Sequence, residues 1–211
     1  MKIEQGTAEW HAQRRGRFTS SRFGDLMKNG KAAQSMGEVC KSYILEIAYE
    51  IVTGQSVGFT GNAATDWGTE HEEFAVLHYE GVKGTMVDPV GFCAHPTNAY
   101  AGGSPDGLVD NDGIIEVKCP YNGLNHAKNI VSNEFVQTYQ WQVQGNLWVT
   151  GRAWCDMISF DPRFEGAKKI HVVRVERSEQ MIQQLEDRID QAVVLLKEYL
   201  EKLGHEENLL F

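Results

Sequence analysis

Two hydrophobic rhythms alternate along the chain. Between residues 35 and 54 apolar side chains recur at helical spacing, Val39, Tyr43, Ile47 and Ile51, and Gly54 closes the run. Residues repeating in this way share one face of an α-helix. Ser35, with Glu38 three residues on, has the spacing of a capping box at its start. Cys40 lies beside the stripe and is expected to pack with it. A second long helix is expected over 179–203, where Ile182, Leu185, Ile189, Val193, Leu196 and Leu200 keep the same period and the opposite face is acidic. Shorter helices are expected over 7–15 and 20–28, over 66–79 with Trp67, Phe74 and Leu77 as core side chains, and over 135–149. Between them the rhythm switches to strand signals over 86–94, 99–109, 114–119, 154–160 and 170–176. This succession predicts an α/β fold. No internal repeat, low-complexity tract or long linker interrupts it, so residues 1–211 are expected to form a single domain.

A chain of 211 residues with 42% hydrophobic and 23% charged residues can bury a sizeable core. No apolar run approaches the length of a membrane span and the first residues lack a signal-peptide pattern, which predicts a cytoplasmic protein with no membrane partner. Cys40, Cys93, Cys119 and Cys155 are widely spaced with no C-x-x-C, which argues for reduced thiols and against zinc or iron–sulfur sites. The seven histidines form no ligand pair such as H-E-x-x-H. The net charge of −9 is unevenly spread: residues 1–31 hold seven basic against three acidic residues, a net of +4, so the remainder carries −13. An anionic polymer would therefore be held by a local basic patch, in a salt-sensitive way.

The chemistry concentrates in residues 104–120, SPDGLVDNDGIIEVKCP. In GIIEVKCP, period 2 places Glu116 and Lys118 on one face of a strand and Ile115 and Val117 on the other. Asp110, Asn111, Asp112 and Gly113 have turn composition, so the segment is expected to fold as a hairpin with Asp106 nearly facing Glu116. Two carboxylates that close repel unless a cation lies between them, and hard oxygen ligands suit Mg²⁺ or Mn²⁺. The Lys118 ammonium stands beside the same place. Asp, Glu and Lys in this relation are what a metal-dependent phosphodiesterase needs; the plainer reading is a turn aspartate and a solvated strand face.

Four blocks in chain order decide between these readings: WHAQRRGRFTSSRF at 10–23, DWGTEHEEF at 66–74, SPDGLV with IIEVKCP, and TYQWQVQGNLWVTG at 138–151. Together they resemble the λ exonuclease and YqaJ viral recombinase group of phage-type alkaline 5′ exonucleases, a branch of the PD-(D/E)xK nucleases. The resemblance implies a restriction-endonuclease-like core, a mixed central sheet flanked by helices. It implies a catalytic set of Asp106, Glu116 and Lys118, with two Mg²⁺ ions per active site, replaceable by Mn²⁺, held by Glu72, Asp106, Glu116 and the carbonyl of Val117. Lys118, its pKa lowered by those cations, would position or deprotonate the attacking water. The helical glutamine that assists it falls on Gln142, with Gln140 and Gln144 crowding the same block and Tyr139 one turn earlier. Arg14 and Ser21 would grip a terminal 5′-phosphate, and a further basic phosphate contact falls on Lys31 or Lys28. The implied activity is Mg²⁺-dependent 5′–3′ degradation of linear double-stranded DNA, leaving 3′ single strands for recombination by single-strand annealing. A homotrimeric ring and a single-strand annealing protein are the implied partners. The apolar end at 208–211 is either a frayed tail or a dock against a neighbouring subunit. A structure-specific or restriction-type endonuclease would keep Asp106, Glu116 and Lys118 without needing Arg14 and Ser21. A nonenzymatic scaffold with this fold would be expected to lose at least one of the three.

Overall fold

The computed structural model describes residues 4–32, 35–57 and 61–205. Its strands, in chain order, are β1 (Phe18–Thr19), β2 (Val87–Asp88), β3 (Cys93–Ala94), β4 (Ala101–Gly103), β5 (Gly107–Val109), β6 (Gly113–Lys118), β7 (Trp154–Phe160) and β8 (Ile170–Glu176). The helices are α1 (Ala8–Arg14), α2 (Phe23–Leu26), α3 (Glu38–Thr53), α4 (Ala63–Lys83), α5 (Gly123–Ser132), α6 (Glu134–Thr138), α7 (Gln140–Thr150) and α8 (Glu179–Lys202). Five strands form a mixed sheet in the order β2-β5-β6-β7-β8, parallel between β6 and β7 and antiparallel elsewhere. A smaller sheet has the order β1-β4-β3. The expected α/β class with a mixed, helix-flanked sheet is what is found.

The alternation of β6 sorts its side chains between two layers. Ile115 and Val117 join Ile158 and Phe160 of β7 against Ala75 and Tyr79 of α4. Ile114 turns the other way, with Cys155 and Met157, onto Phe135 of α6 and Val143 and Leu147 of α7. Residues 143–149 of α7 are all buried, because Trp148 and Val149 face a third layer built on α2, α3 and α8. Gly145 lets this happen: a Cβ there would stand 2.3 Å from the Phe23 ring.

Several expectations are corrected. The helix at 38–53 forms and stops at left-handed Gly54 as its pattern requires, yet Gly37, not Ser35, precedes its first turn and no side chain caps it. Asn29 bridges to Met36 and Gly30 N–H donates to the Ser35 carbonyl, so Ser35 belongs to a tight return of the chain and its hydroxyl binds the Ala32 carbonyl. Phe74 and Leu77 are more than half exposed and Trp67 is half-buried; α4 meets the sheet through Ala75 and Tyr79 instead. The long strands expected at 86–94 and 99–109 are each divided between the two sheets, broken by Pro89 and Gly91 in one and by Ser104–Pro105–Asp106 in the other. The helix expected at 20–28 is a 3₁₀ turn followed by the short α2, the one at 135–149 is broken at Tyr139, and α5 was not anticipated. The tail at 208–211 lies outside the described residues.

Candidate active site

The hairpin expected around Asn111 forms, with Gly107 opposite Ile115 and Val109 opposite Gly113. Extending that ladder by one residue puts Asp106 against Glu116: the Asp106 N–H donates to the Ile115 carbonyl at 3.2 Å, and its Oδ2 accepts the Val117 N–H at 2.6 Å. Glu116, 1% exposed, is caged. Its Oε1 accepts from Lys118 Nζ at 2.6 Å and from Gln142 Nε2 at 2.5 Å, and its Oε2 accepts from Asn146 Nδ2 at 3.0 Å. Gln142 and Asn146 are one turn apart on α7 and so face the same carboxylate. Gln144 points away, bound to the Glu176 carbonyl and the Ser178 N–H. Lys118 Nζ also lies 4.4 Å from the centre of the Tyr139 ring.

Glu72 reaches the same place from α4. It is three residues before Ala75 and seven before Tyr79, so the stripe that seats the helix on the sheet also turns Glu72 towards the strand ends. Burial and then the charge of Glu116 push its carboxyl above the usual range. Burial, Glu116 and Glu72 push Asp106 well above it. Burial works against the Lys118 ammonium, but among the protein's own groups Glu116 and Asp106 outweigh it and hold the lysine's pKa up. Burial, then Glu72 and Asp106, raise the neighbouring Cys119 thiol to about 12, so it stays protonated at neutral pH. Among the described residues no three acidic, His or Cys side chains are gathered at metal-binding spacing. The donor set nevertheless fits hard divalent ions: the charge of Glu116 pushes up both Glu72 and Asp106, and three carboxyl groups share a single ammonium, a surplus of negative oxygen that such ions relieve.

A second site is built on α1 and β1. The Arg14 guanidinium donates to the hydroxyls of Ser21 at 3.2 Å, Thr19 at 3.4 Å and Ser104 at 3.5 Å, and lies 4.1 Å from the Trp10 ring centre. The Trp10 indole N–H donates to the same Ser104 hydroxyl at 3.0 Å. Burial lowers the Arg14 pKa against the opposing influence of Tyr43 and Glu50, which line the same cleft, and its hydrogen-bond partners here are hydroxyls. Arg14, Ser21 and Thr19 line a cleft of about 680 Å³, as do Arg15 and Arg22. Lys28 and Lys31 are exposed and do not line it. Sequence reasoning missed Asn146 and Ser104. The first was signalled by its four-residue spacing from Gln142 on one helix, the second by its place two residues before Asp106.

A family model for the YqaJ-like viral recombinase domain matches residues 9–153, which span both sites. The chain belongs to this family. Among solved structures it is similar to an alkaline exonuclease, LHK-Exo, from Laribacter hongkongensis, at 36% identity over 94% of this chain and 96% of that one, with a TM-score of 0.84. The structure of LHK-Exo in complex with dAMP matches at the same identity and TM-score over 93% of this chain and 96% of that one. A phage-related exonuclease from Haemophilus somnus 129PT, 19% identical with a TM-score of 0.69 over 89% of this chain and 94% of that one, shares the fold. A search of curated proteins finds no match. The fold is that of the PD-(D/E)xK nucleases, and the family makes this chain a nuclease. No helix of the described residues is long and apolar enough to cross a membrane.

Proposed function

We propose that the chain is a Mg²⁺-dependent 5′–3′ exonuclease that degrades linear double-stranded DNA from a phosphorylated 5′ end. One observation carries this reading: Ser104, whose hydroxyl meets both Arg14 and Trp10, is two residues from Asp106, so an anion-binding cleft adjoins the acidic cluster through a single short segment. A planar guanidinium ringed by hydroxyls suits a phosphate monoester, whose oxygens accept several charge-assisted hydrogen bonds. An enzyme cutting at internal sites has no use for such a cleft.

Glu72, Asp106, Glu116 and the Val117 carbonyl would hold two divalent ions. When bound, such ions lower the pKa of coordinated water and neutralise charge developing on the phosphate. Glu116, whose Oε1 accepts from Lys118 Nζ, and Asp106 would supply the oxygens those ions take, so the lysine would stand beside the ions to position or deprotonate the attacking water. Gln142 and Asn146 orient Glu116, and Tyr139 lies under the ammonium. The family resemblance adds a homotrimeric ring and a single-strand annealing partner, the product being a 3′ single strand. The test is linear duplex labelled at either the 5′ or the 3′ end, incubated with Mg²⁺ or with EDTA. The 5′ label should be released early and only with Mg²⁺. Early release of the 3′ label, cutting of closed circles, or robust cleavage in EDTA would overturn the proposal.

A further inference from the structure

Lys118 also lines another cavity, of about 350 Å³, that shares no lining residue with the Arg14 cleft. Its walls are Lys118 and Cys119 at the end of β6, Asn125 and Lys128 of α5, and Phe135 and Tyr139 from α6 and its end. It therefore has a half-buried lysine at the chemical centre, an exposed lysine in Lys128, two carboxamides, Asn125 and Asn129, and two aromatic rings. Glu134 also lines it, the one acid in the set. Lys118 is the link between the cavity and the acidic cluster.

We infer that this cavity holds the nucleotide on the 3′ side of the scissile bond, with Lys128 binding the next phosphate along that strand. The inference rests on the exonuclease reading above. If the terminal 5′-phosphate sits in the Arg14 cleft and the second phosphate is the one attacked beside Lys118, the strand must leave across Lys118 into the space that follows. There the rings of Tyr139 and Phe135 offer apolar walls to a sugar or base, and the Lys128 ammonium is a point charge suited to a phosphodiester. Hydrolysis adds water to the second phosphorus and breaks its bond to the 3′ oxygen of the first nucleotide. The leaving nucleotide takes the proton as a 3′-hydroxyl, and the new 5′-phosphate stays on the strand in the cavity. Each cycle thus ends with the remaining strand already held.

Short substrates test this directly. A 5′-phosphorylated dinucleotide fills the Arg14 cleft and the scissile position, and a 5′-phosphorylated trinucleotide adds the phosphate assigned to Lys128. Both are measured as substrates with Mg²⁺ and, in EDTA, as competitors displacing a fluorescein-labelled strand. Wild type should prefer the trinucleotide in KM and in competition by about tenfold, with similar kcat. Lys128→Ala should lose that preference while cleaving the dinucleotide as before, and Lys128→Arg should restore most of it. On long duplex the alanine variant should show a salt dependence shallower by about one phosphate contact. Equal affinities for the two oligonucleotides in an enzyme that degrades duplex, or an unchanged preference in Lys128→Ala, would overturn the subsite alone. Failure to degrade any DNA would remove the exonuclease reading and the subsite with it.

Discussion

Glu116 and Arg14 carry the two charges on which the proposed function rests, both in partly or fully buried positions, and their surroundings are opposites. The Glu116 carboxylate is surrounded by donors: an ammonium and two side-chain amides occupy its oxygens. The Arg14 guanidinium meets hydroxyls and an aromatic face. Two more exposed arginines are given carboxylates, Arg174 both oxygens of Asp156 and Arg163 both oxygens of Asp161, whereas half-buried Arg152 donates to backbone carbonyls and buried Arg188 to the Asn29 side-chain oxygen. An arginine that donates to hydroxyls and stacks on a ring leaves its charge available to an external anion, which in the proposed function is the 5′-phosphate. On that proposal the acidic site is pre-oriented for catalysis and the basic one is completed by substrate.

The largest effect is expected where the cage meets the chemistry. Lys118→Ala should lower kcat by roughly 10² to 10⁴ while leaving DNA binding close to wild type, because the proposed role of the ammonium is on water and substrate. Single-turnover rates at saturating Mg²⁺ check this; turnover within a few-fold of wild type would remove the role. Next comes the contrast between arginines. Arg174→Ala should cost about 2 kcal/mol of stability, since it strands the buried Asp156, whereas Arg14→Ala should cost well under half that. Burial pushes the Asp156 carboxyl up, but hydrogen bonds from Arg174 and Tyr79 more than cancel this and hold its pKa below the ordinary range. A depressed folded pKa contributes stability at pH above the unfolded value and loses it as pH falls through the folded one. The gap in melting temperature between wild type and Arg174→Ala should therefore close below about pH 4. A gap unchanged down to pH 3 would show that the pair is not the source. The smallest expected effect is on the cage's outer wall: Asn146→Ala should raise the Mg²⁺ concentration for half-maximal activity about tenfold, with kcat largely recovered at high Mg²⁺. An unaltered Mg²⁺ dependence would reduce Asn146 to packing.

Much of this was legible in the sequence because it depends on local periodicity. The alternation in GIIEVKCP placed Glu116 opposite Ile115, the DNDG turn set Asp106 against it, and the long stripes of α3 and α8 fell where their spacing required, apart from Val39, which is left half exposed. What escaped depends on which surface meets which. Phe74 and Leu77 look like core side chains until the sheet chooses Ala75 and Tyr79, and the Ser35 capping box gives way to a return of the chain onto Lys28 and Asn29. Ser104 became part of the Arg14 cleft only through a contact spanning ninety residues. Three glutamines in one block could not be told apart until the helix was turned, which set Gln142 on Glu116 and Gln144 on the start of α8.

The central claim is that a cationic cleft beside the acidic cluster reads a 5′-phosphate, and one ratio tests it. Linear duplex carrying 5′-phosphate and the same duplex with 5′-hydroxyl are degraded side by side by wild type, Arg14→Ala and Arg14→Lys. Wild type should favour the phosphorylated end strongly; Arg14→Ala should lose about ten- to a hundredfold of that preference, the worth of a charge-assisted phosphate contact, and Arg14→Lys should regain only part of it. Equal rates on both ends in wild type, or an undiminished preference in Arg14→Ala, would contradict the account.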